Sequence, residues 1–311
     1  MSAPNERVPF STTTYGKWIL AGEHAVLRGS PALAFPLTSR CLRLTYEPDE
    51  NDFDVRFSGV HGAELKLLFY GVVENAFLQL QRPEPLTGRF ALESSLPVGA
   101  GLGASAALCG AVARWCEAQG WLRADEVYEL ARRLEDLFHG ESSGVDLSVS
   151  LAGQGIRFRR GGERRRIQAH WSPRMYLSYC GQRGITSECV AKVKRFLDKE
   201  PERARALDQQ MARAVEIAES ALTSLEAEDG FADLRESLLL GRDCFEQWGL
   251  CSGELGEHLR QIDAAGAAAA KPTGSGDGGY VLSLWATEPP LSLRRDMVRV
   301  AVVENSFAPL K

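Results

Sequence analysis

The segment of the chain best suited to chemistry is the glycine-rich run Pro97-Val-Gly-Ala-Gly-Leu-Gly-Ala-Ser-Ala-Ala107. Glycines alternate with other residues at positions 99, 101 and 103, so the backbone there can bend sharply and approach a ligand closely. A strand is predicted before the run and a helix after it. The first amide groups of a helix have no partner within the helix, and together with the helix dipole they favour an anion. The run therefore predicts a polyphosphate site, with a plain glycine-rich turn as the alternative.

This run matches neither of two common nucleotide-binding fingerprints. The G-x-x-x-x-G-K-[ST] loop requires a lysine after the glycines, and none follows here. The dinucleotide fingerprint expects an acidic residue about 20 positions further on, at the end of a strand, whereas Asp125 and Glu126 open a predicted helix. Ser105, two residues after the last glycine, can offer its hydroxyl to phosphate or to a bound Mg²⁺.

The elements that position this run follow from the spacing of apolar residues. Strands are predicted at 41–46, 53–57, 89–93, 175–179, 280–285 and 297–303, with a hairpin at 149–167 that turns at Gly161-Gly162. Helices are predicted at 65–80, 104–115, 124–138, 188–197, 203–225, 230–248 and 254–265, with a glycine-rich loop at 271–279. Strands and helices are mixed rather than strictly alternating, which favours an α+β fold. A length of 311 residues suggests two domains, with a boundary near residue 171.

The composition is that of an ordinary globular protein, with 44% hydrophobic and 25% charged residues. A net charge of -5 argues against nucleic acid as the main partner, without excluding an anionic substrate. Six arginines surround the predicted hairpin turn: Arg157, Arg159, Arg160, Arg164, Arg165 and Arg166. A nucleic-acid patch is one interpretation, and a solvated hairpin is the favoured one.

Cysteine usage and the absence of long apolar runs predict a cytoplasmic protein. The seven cysteines are odd in number and contain no C-x-x-C pair, which disfavours a disulfide framework or a zinc site and fits a reducing compartment. The first ten residues lack the apolar stretch of a signal peptide. The small apolar residues at 264–270 are too few to span a bilayer, so no membrane association is expected.

Two further segments place the glycine-rich run in a wider pattern: Gly16-Lys-Trp-Ile-Leu-Ala-Gly-Glu-His-Ala-Val-Leu-Arg-Gly29 and Lys271-Pro-Thr-Gly-Ser-Gly-Asp-Gly-Gly-Tyr280. Together the three segments resemble the signature motifs of the GHMP kinases (galactokinase, homoserine kinase, mevalonate kinase and phosphomevalonate kinase), in the family's order. The resemblance implies an N-terminal domain like the second domain of ribosomal protein S5 over residues 1–171. It also implies a ferredoxin-like C-terminal domain over residues 172–311, with ATP and substrate meeting between the two.

Within the family, Gly22-Glu-His-Ala-Val26 and His139-Gly-Glu-Ser-Ser-Gly-Val-Asp146 are most similar to segments of the mevalonate kinases. The G-E-H-T-D-Y-like segment of galactokinases is absent. The resemblance implies mevalonate as the acceptor, 5-phosphomevalonate as the product, and ATP and Mg²⁺ as cofactors. A homodimer is the assembly to be tested. Another family kinase, such as a phosphomevalonate kinase or a sugar kinase, remains an alternative, as does a catalytically silent nucleotide-binding module on the same fold.

The resemblance also implies roles for individual residues. Asp146 would be the catalytic aspartate with Lys17 as its basic partner, and Ser105 and Glu135 would hold Mg²⁺. The phosphates of ATP would lie against Pro97, Gly99, Ala100, Gly101, Leu102, Gly103, Ala104 and Ser105. The acceptor or the transferred phosphate would contact Lys17, Glu23, His24, Asp146, Thr186 and Thr273.

Four of these residues have ordinary alternative roles. Asp146 follows Ser-Ser-Gly, where a turn aspartate is common. Lys17 could be a surface lysine at the start of a strand. Glu135 lies on a charged stretch of a predicted helix, and His24 lies in an apolar run, so a solvated carboxylate and a buried structural histidine remain open.

Four residues depart from the family's pattern. Tyr15 stands where proline usually precedes Gly-Lys, and Ala104 replaces the first serine of a common G-L-G-S-S. Leu147 follows the aspartate where mevalonate kinases often have asparagine. Asp277 stands where the third motif usually has glycine, and it adds a carboxylate to a loop expected near phosphate. Asp277 therefore bears on the identity of the acceptor.

Overall fold

The computed structural model of the protein describes residues 7–50, 52–82, 84–139 and 142–302. Two compact units are distinguished. The first consists of Met1–Lys17, Pro36–Val98 and Leu102–Gly153, and the second of Trp18–Phe35, Gly99–Gly101 and Gln154–Lys311. Each unit is therefore built from three separate stretches of chain. The predicted domain boundary between residues 171 and 172 stays a prediction.

Four strands contribute to the first unit: β1 (Phe10–Ala21), β2 (Ala32–Glu47), β3 (Phe53–Ser58) and β4 (Gly88–Ser94). β4 lies between β3 and β2, parallel to the former and antiparallel to the latter, and β1 also pairs with β2. Every second residue of β4 is buried, as expected where one face of a strand covers a core. β1 and β2 also supply residues to the second unit.

Four helices complete the first unit: α1 (Leu65–Gln79), α2 (Ala104–Ala118), α3 (Val127–His139) and α4 (Val145–Ala152). α2 is made largely of alanine, cysteine and glycine and is buried along most of its length. A Cβ atom at Gly110 of α2 would lie only 3.1 Å from Cδ2 of Leu151. The small residue therefore lets α4 approach α2 closely, which positions the start of α4, where Asp146 lies.

The second unit contains an antiparallel four-stranded sheet and a short hairpin. The hairpin strands are β5 (Ile156–Phe158) and β6 (Arg164–Arg166), and β5 pairs with residues 32–34 of β2. The sheet has the order β10-β7-β9-β8. Its strands are β7 (Met175–Tyr179), β8 (Ala269–Thr273), β9 (Tyr280–Leu284) and β10 (Met297–Val300).

Four helices of the second unit follow the predicted amphipathic segments: α5 (Thr186–Lys199), α6 (Pro201–Thr223), α7 (Ala227–Gln247) and α8 (Gly253–Ala264). A short fifth helix, α9 (Leu291–Arg294), was not predicted. α6 and α7 pack together, and the buried hydroxyl of Ser237 donates to the carbonyl of Ala214 at 2.7 Å. Within the described ranges, no helix combines the length and the apolar character needed to cross a bilayer.

Two local predictions were wrong, and a third lies partly outside the described residues. The predicted hairpin at 149–167 begins too early, because 145–152 form the helix α4. The predicted glycine-rich loop at 271–279 begins with the last three residues of β8, so the loop proper starts at Gly274. The predicted last strand ends at Val303, which lies outside the described residues, as do Gly140 and Glu141 of the segment 139–146.

Two arginines of the hairpin form ion pairs with glutamates of α6. The buried Arg157 donates to Glu216 and to Glu219, each at 2.5 Å, and Arg165 donates to Glu219 at 2.6 Å. Glu163 of the turn region contacts both arginines. The hydrogen bonds that Arg157 donates to Glu216 are the main reason that the pKa of Arg157 is raised. These two arginines therefore fasten the hairpin to α6.

Candidate active site

The glycine-rich run adopts the sharply bent backbone that its sequence predicts. Gly99, Gly101 and Gly103 have φ angles of 74°, 81° and 79°, a left-handed region that side chains disfavour. α2 begins directly after Gly103, whose carbonyl accepts from the amide of Ala107 at 2.9 Å. The amides of a first helical turn have no partner within the helix, which favours an anion at the start of α2. Ala104, at the position where serine is common, is buried.

Lys17 and Asp146 form an ion pair within the first unit. Lys17 Nζ lies 3.1 Å from Asp146 Oδ2, with the lysine buried and the aspartate about one-third exposed, at 29%. The main chain of Lys17 is fixed by a 2.9 Å hydrogen bond from its amide to the carbonyl of Leu102. Asp146 lies in the first turn of α4, where the helix dipole favours a carboxylate. The structure thus brings together a partly exposed carboxylate and a buried ammonium.

Gly103 lies directly beside this ion pair. A Cβ atom at Gly103 would be 3.0 Å from Lys17 Cγ and 3.9 Å from Asp146 Oδ2. The last glycine of the run, the lysine and the aspartate therefore occupy one small region of the first unit. The start of α2, which can bind phosphate, therefore lies next to the carboxylate of Asp146, which can accept a hydrogen bond from a hydroxyl group.

The variant Gly103→Val is expected to weaken ATP binding at least ten-fold and to leave the fold largely intact. A β-branched residue with a left-handed φ is strained, and its Cβ would displace the stem of Lys17. Calorimetric titration with ATP measures the effect. Gly161→Val is the matched control, since Gly161 also has a left-handed φ, of 69°, but has open space around its Cβ position and lies in the hairpin turn. An unchanged ATP affinity in Gly103→Val would mean that the triphosphate binds elsewhere.

Glu135 and Ser105 are the residues predicted to hold Mg²⁺. Glu135 lies on α3, is buried, and accepts a 2.5 Å hydrogen bond from Ser142 Oγ. Burial, followed by the negative charge of Asp146, raises its pKa to about 8, while Ser142 and Lys17 act in the opposite direction. Ser105 is half-buried in the first turn of α2.

This pair of residues fits a hard divalent cation in its chemistry. Among the residues that the structure describes, no three His, Cys, Asp or Glu side chains are grouped as a metal site. Mg²⁺ retains several waters and needs only one or two protein oxygens, so one carboxylate and one hydroxyl suffice. A buried carboxylate close to a second one, as Glu135 is to Asp146, would be stabilised by a nearby cation.

Glu23, in the second unit, makes a fully buried ion pair with Lys271 of β8. The ammonium of Lys271 also donates to the carbonyl of Pro272 at 2.7 Å and lies 5.5 Å from the centre of the Phe245 ring. Burial lowers the pKa of Lys271, and the attraction of Glu23 opposes that shift. Sequence reasoning did not single out Lys271, although it opens the third motif. The predicted contact of Glu23 with substrate stays a prediction.

His24 is held by the protein on several sides. Its Nε2 donates to the carbonyl of Ser275 at 2.9 Å, and its ring lies edge-on to Phe245 and Trp248. Burial is the main reason that its pKa falls to about 4, so the ring is neutral at pH 7. These are the contacts of a buried structural histidine, one of the two alternatives left open by the sequence. The predicted role of His24 at the acceptor stays a prediction.

The buried state of His24 predicts a loss of stability in acid. Between pH 6.5 and about 4 the unfolded chain binds a proton at this residue and the folded protein does not, so the free energy of unfolding falls as pH falls through that window. At pH 5 the loss relative to pH 7 is about 2 kcal/mol. Urea unfolding of the wild type and of His24→Asn at both pH values measures it, because asparagine stays neutral and tolerates the left-handed φ. His170→Asn, at an exposed position, is the control. Equal pH dependence in His24→Asn and the wild type would contradict this prediction.

The two threonines predicted near the acceptor have different surroundings. Thr273 is buried, and its Oγ1 accepts from the amide of Ile19 at 2.9 Å and donates to the carbonyl of the same residue at 3.0 Å. It therefore ties β8 to β1 within the second unit. Thr186 is the exposed first residue of α5, with its Oγ1 3.5 Å from the hydroxyl of Ser275. Thr186 is thus the more accessible of the two.

Comparison with known proteins places this architecture in a family. Residues 68–154 match the GHMP kinases N terminal domain. The mevalonate kinase of Pyrococcus abyssi is 32% identical over 292 residues, and that of Pyrococcus horikoshii is 31% identical, each over 86% of both chains. The L. major mevalonate kinase in complex with R-mevalonate matches with a TM-score of 0.75 and 22% identity, covering 96% of this chain and 98% of that one. The Streptococcus pneumoniae phosphomevalonate kinase in complex with phosphomevalonate and AMPPNP has a TM-score of 0.70 and 15% identity, covering 94% and 100%.

The fold is therefore the two-domain α+β fold of a small-molecule kinase, as the sequence predicted. The chain belongs to the GHMP kinase family, since its identity to curated members reaches 32% over most of its length. As a member of a kinase family it uses ATP. The predicted family and fold class are confirmed.

Proposed function

We propose that the protein transfers the γ-phosphoryl group of ATP to the primary hydroxyl of mevalonate, giving ADP and 5-phosphomevalonate. The observation that carries the proposal is the Lys17–Asp146 ion pair beside Gly103 at the start of α2. The curated relatives named mevalonate kinase, which align with 86% of the chain, support mevalonate as the acceptor.

In this proposal the residues of the ion pair and of the glycine-rich run each have a defined task. Asp146 Oδ2 orients the acceptor hydroxyl and receives its proton as the oxygen attacks the γ-phosphorus. The ammonium of Lys17, 3.1 Å from that oxygen, stabilises negative charge on the carboxylate and on the transferring group. The first turn of α2 and the left-handed glycines bind the phosphates through backbone amides.

Mg²⁺ belongs to the proposal as a bound cofactor held by Ser105 Oγ and the Glu135 carboxylate. When bound, it neutralises charge on the β- and γ-phosphates. Ser142, which donates to Glu135 Oε2, holds that carboxylate in a single orientation. The pairing of one hydroxyl with one buried carboxylate supports this assignment.

Some parts of the proposal rest on the sequence alone. They are domains at 1–171 and 172–311, a cytoplasmic location, a homodimer and the absence of a nucleic-acid partner. The seven free thiols are in keeping with a reducing compartment, and the net charge of -5 with a partner other than nucleic acid. Sedimentation of the purified protein tests the homodimer.

A panel of acceptors with a coupled readout of ADP formation tests the function. Mevalonate is expected to support turnover, and phosphomevalonate and galactose are not. A phosphorylated acceptor would call for cationic groups, and the hairpin arginines Arg157 and Arg165 are already engaged by glutamates. Rapid ADP formation with phosphomevalonate but not with mevalonate would show that the proposed acceptor is wrong. The assignment to the GHMP kinase family would still hold. ATP binding without turnover of any acceptor would favour a silent module.

A further inference from the structure

The loop at 274–279 contains an aspartate in a conformation that favours glycine. Asp277 has a φ angle of 49°, between Gly276 at 84° and Gly278 at 148°. Aspartate tolerates this region better than most residues, but it still pays a strain that glycine avoids. A strained side chain kept at such a position suggests a local task that glycine could not perform.

The carboxylate of Asp277 is fully engaged by neighbouring elements of the second unit. Oδ2 accepts from Lys192 Nζ of α5 at 2.9 Å, and Oδ1 accepts from Ser252 Oγ, just before α8, at 3.0 Å. The amide of Asp277 donates to the carbonyl of Leu250 at 2.8 Å. Lys192 Nζ in turn donates to the carbonyl of Gly249, in the turn after α7. One side chain therefore joins the loop to α5 and to the turn between α7 and α8.

The glycines of this loop pack closely against residues 182–184 and Leu250. A Cβ atom at Gly278 would lie 2.6 Å from the amide nitrogen of Gly184, and one at Gly276 would lie 2.8 Å from Leu250 Cβ. The amide of Gly279 donates to the carbonyl of Gln182 at 2.8 Å. A small shift of the loop would therefore break several contacts at once.

The same loop contacts His24, Thr186 and the glycine-rich run. The carbonyl of Ser275 accepts a hydrogen bond from His24 Nε2. The hydroxyl oxygen of Ser275 lies 3.5 Å from Thr186 Oγ1. The Cβ position of Gly279 is 3.4 Å from the carbonyl oxygen of Ala100, in the glycine-rich run. The position of the loop is thus linked, within the second unit, to the segment Gly99–Gly101.

Asp277 also borders a cavity of about 240 Å³, together with Arg183, Glu188 and Ser252. A carboxylate facing a cavity could meet a ligand directly. However, both oxygens of Asp277 already accept hydrogen bonds from Lys192 and Ser252. The ammonium of Lys192 neutralises the charge, so the carboxylate presents little net charge to an anionic substrate.

We infer that Asp277 is a positioning residue that acts through Lys192 and Ser252. It fixes the loop at 274–279 and thereby holds Ser275 and the neighbouring segment Gly99–Gly101 in the arrangement that binds the phosphates of ATP. Its carboxylate does not select the acceptor. This inference rests on the proposed function for the glycine-rich run as the phosphate site and for the choice of acceptor in the kinetic assay.

The test is a double-mutant cycle with Asp277→Asn and Lys192→Met. Each single variant is expected to raise KM for ATP about five-fold, with kcat within two-fold of the wild type, because a partly exposed ion pair is lost. The double variant is expected to match the single ones, since both remove the same contact. Lys192→Arg should restore KM to within two-fold. Lys194→Met, at an exposed position of the same helix, is the matched control and should behave as the wild type.

The cycle separates this role from its alternatives. The inference would be overturned if the increases in KM of the two single variants multiplied in the double variant. An unchanged KM in Asp277→Asn would also overturn it. Turnover of phosphomevalonate gained by Asp277→Asn but not by Lys192→Met would also overturn it, because the carboxylate would then act on the acceptor itself. Ser252→Ala, which removes only the neutral contact, provides a milder variant with a smaller rise in KM expected.

Calorimetric titration with ATP keeps the test independent of the acceptor. Both single variants are expected to bind ATP about five-fold more weakly, to the same degree. A wild type that binds ATP but does not turn over mevalonate would refute the proposed function, and the binding data would still decide the role of Asp277. Wild-type ATP affinity in both variants would overturn the inference whichever acceptor is used.

Discussion

Asp146→Asn is expected to lower kcat by about 10²–10⁴-fold, the range that a positioned general base contributes. Asparagine has nearly the same shape as aspartate, so the first turn of α4 should be preserved. It cannot accept the proton of the acceptor hydroxyl, and it no longer offers Lys17 a charged partner at 3.1 Å. ATP binding should remain nearly unchanged, because the glycines and the first turn of α2 are untouched. Steady-state kinetics with mevalonate and calorimetry with ATP measure the two quantities separately.

Asp125→Asn provides the control for this experiment. Asp125 is an exposed carboxylate that pairs with Arg123 in the same unit, and its loss should leave kcat unchanged. The double variant Lys17→Met/Asp146→Asn should be little worse than Asp146→Asn alone, since residues that act as a unit are not additive. Retention of more than half of the wild-type kcat in Asp146→Asn would refute the assignment of the base.

Lys271→Met is expected to reduce the free energy of unfolding by about 3–5 kcal/mol, the usual effect of removing one partner from a buried ion pair. The carboxylate of Glu23 and the ammonium of Lys271 are both inaccessible to solvent, so the variant would leave the carboxylate buried without this ammonium. The ring of Phe245 would also lose its cation. Urea unfolding at pH 7 gives the free energy directly.

Two comparisons make the stability prediction specific. The double variant Glu23→Met/Lys271→Met should lose less free energy of unfolding than Lys271→Met alone, because the buried carboxylate is then removed together with the ammonium. Arg213→Met, which removes the exposed ion pair with Glu236, should change the free energy of unfolding by at most about 1 kcal/mol. A loss in Lys271→Met no larger than in Arg213→Met would show that the buried pair contributes nothing beyond an exposed one.

The parts of the site that could be predicted from sequence are those set by local backbone requirements. The bends at Gly99, Gly101 and Gly103 follow from alternating glycines before a helix, because few other residues adopt a left-handed φ without strain. The pairing of Lys17 with Asp146 joins residues far apart in the chain, and only the resemblance to a family suggested it.

The parts that were missed depend on distant residues. Residues 145–152 have an alternating apolar pattern near Val149 and Leu151 that is typical of a strand. They form a helix because Gly144 starts it with a φ of 82° and Gly110 leaves room for Leu151. Similarly, the predicted loop at 271–279 includes Pro272, yet this residue lies in β8, an edge strand, where a proline is tolerated.

The interleaved course of the chain has a consequence for synthesis on the ribosome. Residues 32–34 of β2, which include the buried Leu33, pair with β5 at 156–158, so roughly 120 residues must be translated before this partner exists. At about 5–20 residues per second the wait is roughly 6–25 s. During that time an apolar strand edge stays open, and we expect the nascent chain to need a chaperone until β5 emerges. A circular permutant that begins at residue 154 would produce β5 before β2. Residues 32–34 would then meet their partner as soon as they emerge, and we expect them to need a chaperone for a shorter time.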